Sequence, residues 1–365
     1  MKKIVFLAVV IVMIVSTAVN ATAESADIKV LTLDEAIKLA VENNRQNVID
    51  DLEIKVKESQ LKQAQENADM TGDSYGAERV LESRIRKEVR IMEAQTALEV
   101  ARLRKEDNRR RTALDVREVF YNILLAEKEL DKEMQKLEIQ KEKLEFARSR
   151  YNTGSLSAEA LDEAEFRVIS KSADVDNIRE KIRTLELRLK ILLNMDLDEE
   201  LPEIKGEIKV ELLKDMDIEK IADTRLQFDT SVYEAAGRYN AANRTMQLTE
   251  ELFRAGQTTY DTNKSNLEKA LRDYESALRN REVNIRNSYN DLLNMEDNLE
   301  LADKYAGLCL KKLDVAKVRY DKGIIDKESY LSAKEAYLDA LFSRERARFD
   351  YIIRKESFLS MIEQR

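Results

Sequence analysis

The sequence predicts an all-α fold of long, antiparallel coiled-coil helices, and three observations carry that reading. Turn formers are scarce: 365 residues contain eight Gly and one Pro, so the chain reverses rarely and its elements are long. Charged residues make up 36% of the chain and aromatic residues 6%, the balance of helices that solvate one face and bury a stripe. Apolar residues also recur every seven positions. Val116, Ile123, Leu130, Leu137, Leu144 and Tyr151 form one such series; Ile285, Leu292, Leu299, Ala306, Leu313 and Tyr320 form another. A repeat kept over that distance is what supercoiled helices packing on neighbours require.

Six helices follow from the punctuation. Thr32 and Glu35 form a capping box that opens the first, which runs to about Met70 and stops at the Gly72–Gly76 segment. The second spans Ala77 to about Asn152, a rod of about 114 Å at 1.5 Å per residue. Gly154 ends it, and the third runs from Ser157 to Leu193-Asn194. A linker over 195–216 carries Pro202 and Gly206. The fourth helix spans about Asp217 to Arg254, the fifth Thr258 to Asp321, and the sixth starts near Asp326 and continues almost to Arg365.

The halves match. At an offset of 169, the pairs Leu144/Leu313, Ala147/Ala316, Arg150/Arg319, Tyr151/Tyr320, Gly154/Gly323, Glu159/Glu328 and Ala164/Ala333 are identical. At the other end the offset is 184, pairing Ile37 with Ile221 and Gly72 with Gly256, so the second long helix is the shorter one. Duplication of a short-long-short unit accounts for this. The expected organisation is a leader over 1–23, a first helical repeat over 24–194, an equatorial linker over 195–216 and a second repeat over 217–365. In each unit two short helices end to end match the long one. Such a rod has no central core of its own, so its apolar seams call for neighbouring helices, in other chains too.

Several function classes drop out on composition. The chain has no His, the commonest general base and metal ligand. Its single Cys, Cys309, cannot make an intrachain disulfide or a Cys-based zinc cage. Helical carboxylates at spacings of three and four pair with Lys and Arg. No enzyme, no cofactor and no metal site are expected. A formal charge of -9 argues against a nucleic-acid partner.

Residues 1–23 read as a secretory signal. Lys2 and Lys3 precede the apolar run Ile4–Val15, and Ala21-Thr22-Ala23 offers a small-residue cleavage site before Glu24. The apolar run reaches about 18 Å as a helix, short of a hydrocarbon core of about 30 Å. The basic run from Arg102 to Arg111 interrupts the long helix near the level where the linker emerges. It reads as a solvated equator paired with Asp196, Asp198, Glu199 and Glu200, in preference to a contact for an acidic partner or anionic cell-wall material.

With that layout in place, the chain resembles the TolC-type outer-membrane efflux family across most of its processed length. The opening Leu31-Thr32-Leu33-Asp34-Glu35-Ala36-Ile37-Lys38-Leu39-Ala40-Val41-Glu42-Asn43-Asn44 is similar to that family's first helix. Ala147–Gly154 and Ala316–Gly323 are similar to its two periplasmic-tip turns. The resemblance implies a homotrimer whose helices form a tunnel. It also implies an export partner, an inner-membrane pump or ABC exporter, joined through a periplasmic adaptor (membrane fusion) protein docked at the tips. The implied docking residues are Tyr151, Asn152, Thr153, Gly154, Ser155 and Leu156 on one tip. On the other they are Tyr320, Asp321, Lys322, Gly323, Ile324, Ile325 and Asp326. Each Gly also serves a tight helix reversal, and both roles are compatible. The family's ion-pair gate is not carried over, because Ala160, Ile325 and Ser329 occupy the approximate places.

The chain departs from the family at the opposite end. Members insert β-hairpins between helices one and two and between four and five, closing a membrane barrel. Here those connections are Thr71–Gly76 and Ala255–Thr258, too short for a membrane strand of about 9–11 residues. No transmembrane β-barrel of its own is therefore expected. The leading reading is an exported, barrel-less conduit of the cell envelope, in the outer membrane or periplasm by resemblance. It would work passively, with a lumen that the acidic excess makes cation-favouring. The competing reading is an extracytoplasmic structural or adaptor coiled coil without channel activity. The widened stripe of Phe120, Tyr121, Leu124 and Leu125 around Val116 and Ile123 favours the tube.

Overall fold

The computed structural model describes residues 30–69, 75–206, 210–213, 216–225 and 229–362. The expected leader over 1–23 lies outside the described residues. The order is β1 (Val30–Leu31), α1 (Leu33–Asn43), α2 (Gln46–Asp69), α3 (Ala77–Arg84), a π turn (Ile85–Val89), α4 (Arg90–Asn152) and α5 (Ala158–Leu193). Then come β2 (Glu203–Ile204), α6 (Ile218–Arg225), α7 (Thr230–Leu252), α8 (Thr258–Asp321) and α9 (Lys327–Ile362). The all-α expectation holds, and the described residues form no closed β-barrel. Among them, no helix is long and apolar enough to cross a membrane.

The helices stand side by side in two levels. In the tip half, α4 lies between α5 and α9, and α9 packs against α8. In the distal half, α4 lies between α2 and α7, and α7 packs against α8. α4 and α8, with 63 and 64 residues, run through both levels. α5 and α9, with 36 residues each, repeat the short-long-short plan.

The levels meet at an apolar belt. Leu31, Ala36, Ala40, Val116, Val119, Phe120, Ile123, Leu189, Leu193 and Ile204 are buried together there. A second cluster sets Ile285, Leu292 and Leu299 of α8 against Tyr351, Ile352 and Phe358 of α9. The heptad seams read from the sequence are thus buried near the belt, at Val116 and Ile123 and from Ile285 to Ala306, and loosen toward the tips, where Leu313 and Tyr320 are half-buried and Tyr151 is exposed. The linker closes the belt: β2 pairs in parallel with β1, Val30 opposite Glu203 and Leu31 opposite Ile204. Gly206 passes so near α4 that a Cβ would sit 3.3 Å from the side chains of Phe120 and Leu124. Leu213 N–H donates to Glu296 (3.1 Å) and to Tyr351 Oη (2.9 Å), while Tyr351 donates to Glu296 (2.6 Å).

Three helices depart from the expected lengths. The first is broken at Asn44, whose backbone turns extended (ψ 120°). Its side chain explains the break: the amide donates to Thr112 (2.7 Å) and the carbonyl accepts from Gln46 N–H (2.8 Å), an Asx turn that outcompetes the helical ladder. The second helix carries the π turn at Ile85–Val89. The fourth is split into α6 and α7, and Asp229 caps α7 by accepting from the N–H groups of Ser231 and Val232. The Thr32/Glu35 capping box is present as expected.

The basic run is also corrected. Its partners are carboxylates of the neighbouring helices and of α4 itself rather than the linker acids. Lys105 reaches Asp51 of α2 (2.6 Å), Arg104 reaches Glu234 of α7 (3.0 Å), and Arg110 pairs with Asp107 (2.6 Å). The belt is centred on Val116–Ile123, below the run, which places the linker too low to meet it.

Candidate functional site

Both hairpin tips are built by one local rule. Gly154 adopts φ 74°, and its N–H donates to Tyr151 C=O (2.9 Å) while Ser155 N–H reaches back to Arg150 C=O (2.9 Å). Gly323 adopts φ 68°, with the same two bonds to Tyr320 (2.8 Å) and from Ile324 to Arg319 (2.8 Å). This is a Schellman closure, and the left-handed residue in it favours Gly. Each turn then feeds a capped helix. Ser157 accepts from Ala160 N–H (3.2 Å), and Asp326 accepts from Ser329 N–H (2.8 Å). Bonds from the Ser329 side chain and backbone hold the Asp326 carboxyl below its usual range.

The predicted tip residues divide between helix ends and turns. Tyr151 and Asn152 finish α4, Thr153 to Leu156 make the first turn, Tyr320 and Asp321 finish α8, and Lys322 to Asp326 make the second. Tyr151 is 44% and Ile324 60% exposed. Tyr320 instead stacks on Tyr330 at 5.3 Å between ring centroids, so the two equivalent tyrosines do different jobs. Thr153 and Ser155 hydroxyls both donate to Arg150 C=O (2.9 and 3.0 Å).

The fold brings both tips to one end. Lys327, at the start of α9, pairs with Glu142 of α4 (3.2 Å), and Lys143 pairs with Glu335 (2.7 Å). Between them lies a groove of about 140 Å³ lined by Phe146 and Arg150 of α4, Leu156 and Arg167 from the α5 side, and Lys327 and Leu331 of α9. Leu156 is a predicted residue; Phe146, Arg150 and Lys327 were missed. Arg150 and Arg319 occupy equal places in the two repeats, a signal that could have pointed to them. Deeper in the tip half, Glu133 is nearly buried. Burial raises its carboxyl, but hydrogen bonds and charge from Lys132 and Lys171 outweigh that and hold it low.

The lateral edges carry a second feature. On α8 the buried seam of Ile285, Leu292, Leu299 and Ala306 faces α9 and the linker. Two residues further round, Leu301, Leu308 and Val315 are 66%, 48% and 57% exposed. Two residues turn a helix by about 200°, so this is the opposite flank. α5 repeats the arrangement: Val175, Ile178, Leu189 and Leu193 are buried, whereas Phe166, Ile169, Leu187 and Ile191 are exposed. The layer therefore ends on both sides in apolar flanks.

No protein-family model matches the chain, and no curated protein sequence matches it. Solved structures do. The outer membrane protein VceC from Vibrio cholerae superposes with a TM-score of 0.68 at 12% identity, covering 90% of this chain and 95% of that one. CusC gives 0.70 at 15% identity over 91% and 92% of the two chains. The CmeC outer membrane channel of Campylobacter jejuni gives 0.65 at 15% identity, over 90% and 85%. The chain has the TolC-type outer-membrane-factor fold. The efflux-channel likeness expected from the tip and first-helix motifs is thereby borne out at the level of fold.

Proposed function

We propose that the protein is a passive conduit of the cell envelope, in which three copies close into a helical tube that works with a pump and a periplasmic adaptor. The observation that carries this is the pair of apolar flanks on α5 and α8. A chain that exposes such flanks at both ends of one layer is complementary to further copies joined head to tail, and rotation closes that arrangement into a ring. Channel proteins of the same fold support the reading. The conduit needs no catalytic residue.

In this reading the processed chain is exported from the cytoplasm, and the adaptor meets the Gly154 and Gly323 tips. Their groove sets the cations Lys143, Arg150, Arg167 and Lys327, with Glu163 and Glu328 among them, around Phe146, Leu156 and Leu331, a net basic surface suited to an amphipathic helical hairpin with acidic residues. The distal connections are too short to contribute membrane strands; the α7–α8 connection is only Phe253–Gln257.

Light scattering coupled to size exclusion, on residues 24–365 purified without detergent, tests the proposal. A trimer is expected. A monomer or dimer at micromolar concentration would sink the conduit and favour a structural or adaptor rod.

A further inference from the structure

Above the belt the outer flanks change character. Beyond Val56 the outer side of α2 is polar, and the distal part of α8 is polar as well. Among the exposed charges of α2 are Asp51, Lys55, Glu58, Lys62 and Glu66, spaced four, three, four and four, with Asp69 beyond them. Among those of α8 are Lys264, Glu268, Arg272, Glu275 and Arg279, spaced four, four, three and four, with Asp261, Lys269 and Asp273 outside the series. Read backwards, one series has the spacing of the other with every sign reversed. Aligned antiparallel, residues whose numbers add to 330 meet: Glu66 with Lys264, Lys62 with Glu268, Glu58 with Arg272, Lys55 with Glu275, and Asp51 with Arg279; Lys57 meets Asp273, and the one like pair, Asp69 with Asp261, falls at the distal end.

Contacts inside one chain put these partners at the same height. Asp51 pairs with Lys105, and the preceding residue, Arg104, pairs with Glu234, making one rung across α2, α4 and α7. On α8 that rung is bracketed by the Asp229–Arg281 ion pair (3.3 Å) and the Tyr239–Tyr274 stack (5.9 Å). Arg279 lies inside the bracket, level with Asp51.

Both series also lie on the same face of the layer. Lys55 and Lys62 follow the half-buried Ile54 and Leu61 by one residue; Glu275 and Arg279 follow the half-buried Tyr274 and Leu278 likewise. One step is about 100°. The two helices run in opposite directions and turn their inner stripes toward each other, so the step leads to the same side. Within each helix several of these charges meet only loosely, at 3.8 Å for Lys62–Glu66 and 3.9 Å for both Arg272–Glu268 and Arg279–Glu275, while Glu58, like Asp51, also reaches a cation of α4, Arg102 at 3.4 Å.

We infer that neighbouring copies in the ring join above the belt through this antiparallel charge ladder, α2 of one copy against α8 of the next. The inference rests on the ring proposed above and adds its distal partner surface and register. Opposite charges in alternation fix which residues face each other, because a one-turn slip sets Glu66 against Glu268 and Lys62 against Arg272.

Thiol cross-linking tests the ladder, with light scattering on the same samples testing the ring. In a Cys309→Ser background, Lys55→Cys combined with Glu275→Cys is expected to give covalent trimers with a short bis-maleimide. Lys55→Cys with Glu282→Cys, one heptad away, should give severalfold less. Reversing Glu58→Arg and Lys62→Glu should cut the first yield severalfold, and adding Glu268→Lys with Arg272→Glu should restore it. A trimer that links better through position 282, or that ignores the reversals, overturns the ladder and leaves the ring standing. A monomer overturns both.

Discussion

The two halves of α8 show one helix serving two kinds of boundary. From Leu301 to Val315 its outer flank is apolar, while the exposed positions from Lys264 to Arg279 are mostly charged or polar. The inner seam stays apolar along both halves, with Ile285, Leu292, Leu299 and Ala306 buried and Leu267, Tyr274 and Leu278 half-buried. Contact inside a chain can rely on apolar burial throughout, because its register is fixed by connections. Contact between chains has no connection to set it. The tip half gains strength from burying leucines, and the distal half gains alignment from charge.

Substitution on the apolar flank should give the largest effect. Leu301→Asp with Leu308→Asp removes about 1.5–3 kcal/mol of burial per site and adds a buried charge. Light scattering should read monomers at micromolar concentration, with circular dichroism unchanged because neither residue belongs to the chain's own core. Arg272→Glu on the distal flank should leave the trimer mass intact; equal dissociation by both variants would erase the contrast between the halves.

A close approach inside the distal half gives the next effect. A Cβ on Gly237 would clash with the Thr96 side chain, so Gly237→Val should cost about 1–3 kcal/mol. Hydrogen exchange should accelerate in α7 and the upper part of α4 while α5 and α9 keep their protection. Uniform acceleration along the rod would mean that the halves unfold as one unit.

Smaller still is the break at Asn44. Asn44→Ala removes its bonds to Thr112 and Gln46, for a loss of about 1 kcal/mol in denaturant unfolding. If stability is unchanged, the helix break is set by something other than this side chain.

The tip half should also respond to acid. Glu133 is held low by Lys132 and Lys171, so its ion pairs contribute stability above the ordinary carboxyl range and lose it as pH falls through the lowered value. Titrating thermal stability downward, Glu133→Gln should flatten the decline relative to the parent. Parallel curves would show that its paired state contributes nothing.

Much of this was legible in the residues. Val116 and Ile123, or Ile285 and Leu292, announce their burial through spacing alone, and Gly154 and Gly323 announce the tips. The broken first helix was not legible, because Asn43-Asn44-Arg45 continues a helical pattern and only Thr112, across on α4, reveals the competing turn. The partners of Lys105 and Arg104 were misread for a related reason. The sequence placed the run near the level where the linker emerges, but the ion pairs needed the lateral order of α2, α4 and α7. Among the tip residues, local sequence gave the reversals, whereas the groove at Arg150 and Lys327 depends on α9 lying beside α4.

The π turn at Ile85–Val89 has a consequence for how the two repeats can be compared. Arg90 N–H bonds to Ile85 C=O, five residues back, so this turn holds one residue more than an α-helical turn. Everything before it is displaced by about 100° relative to the heptad frame that Arg90–Asn152 follows. Leu81 can therefore face Leu248 and Phe253, although a straight extrapolation of the frame would aim it elsewhere. The extra residue acts as a frameshift written in geometry: no single ungapped alignment can superpose the two long helices from end to end. Deleting one residue within Ile85–Val89 should restore an ordinary turn and swing the α3 segment off its partner.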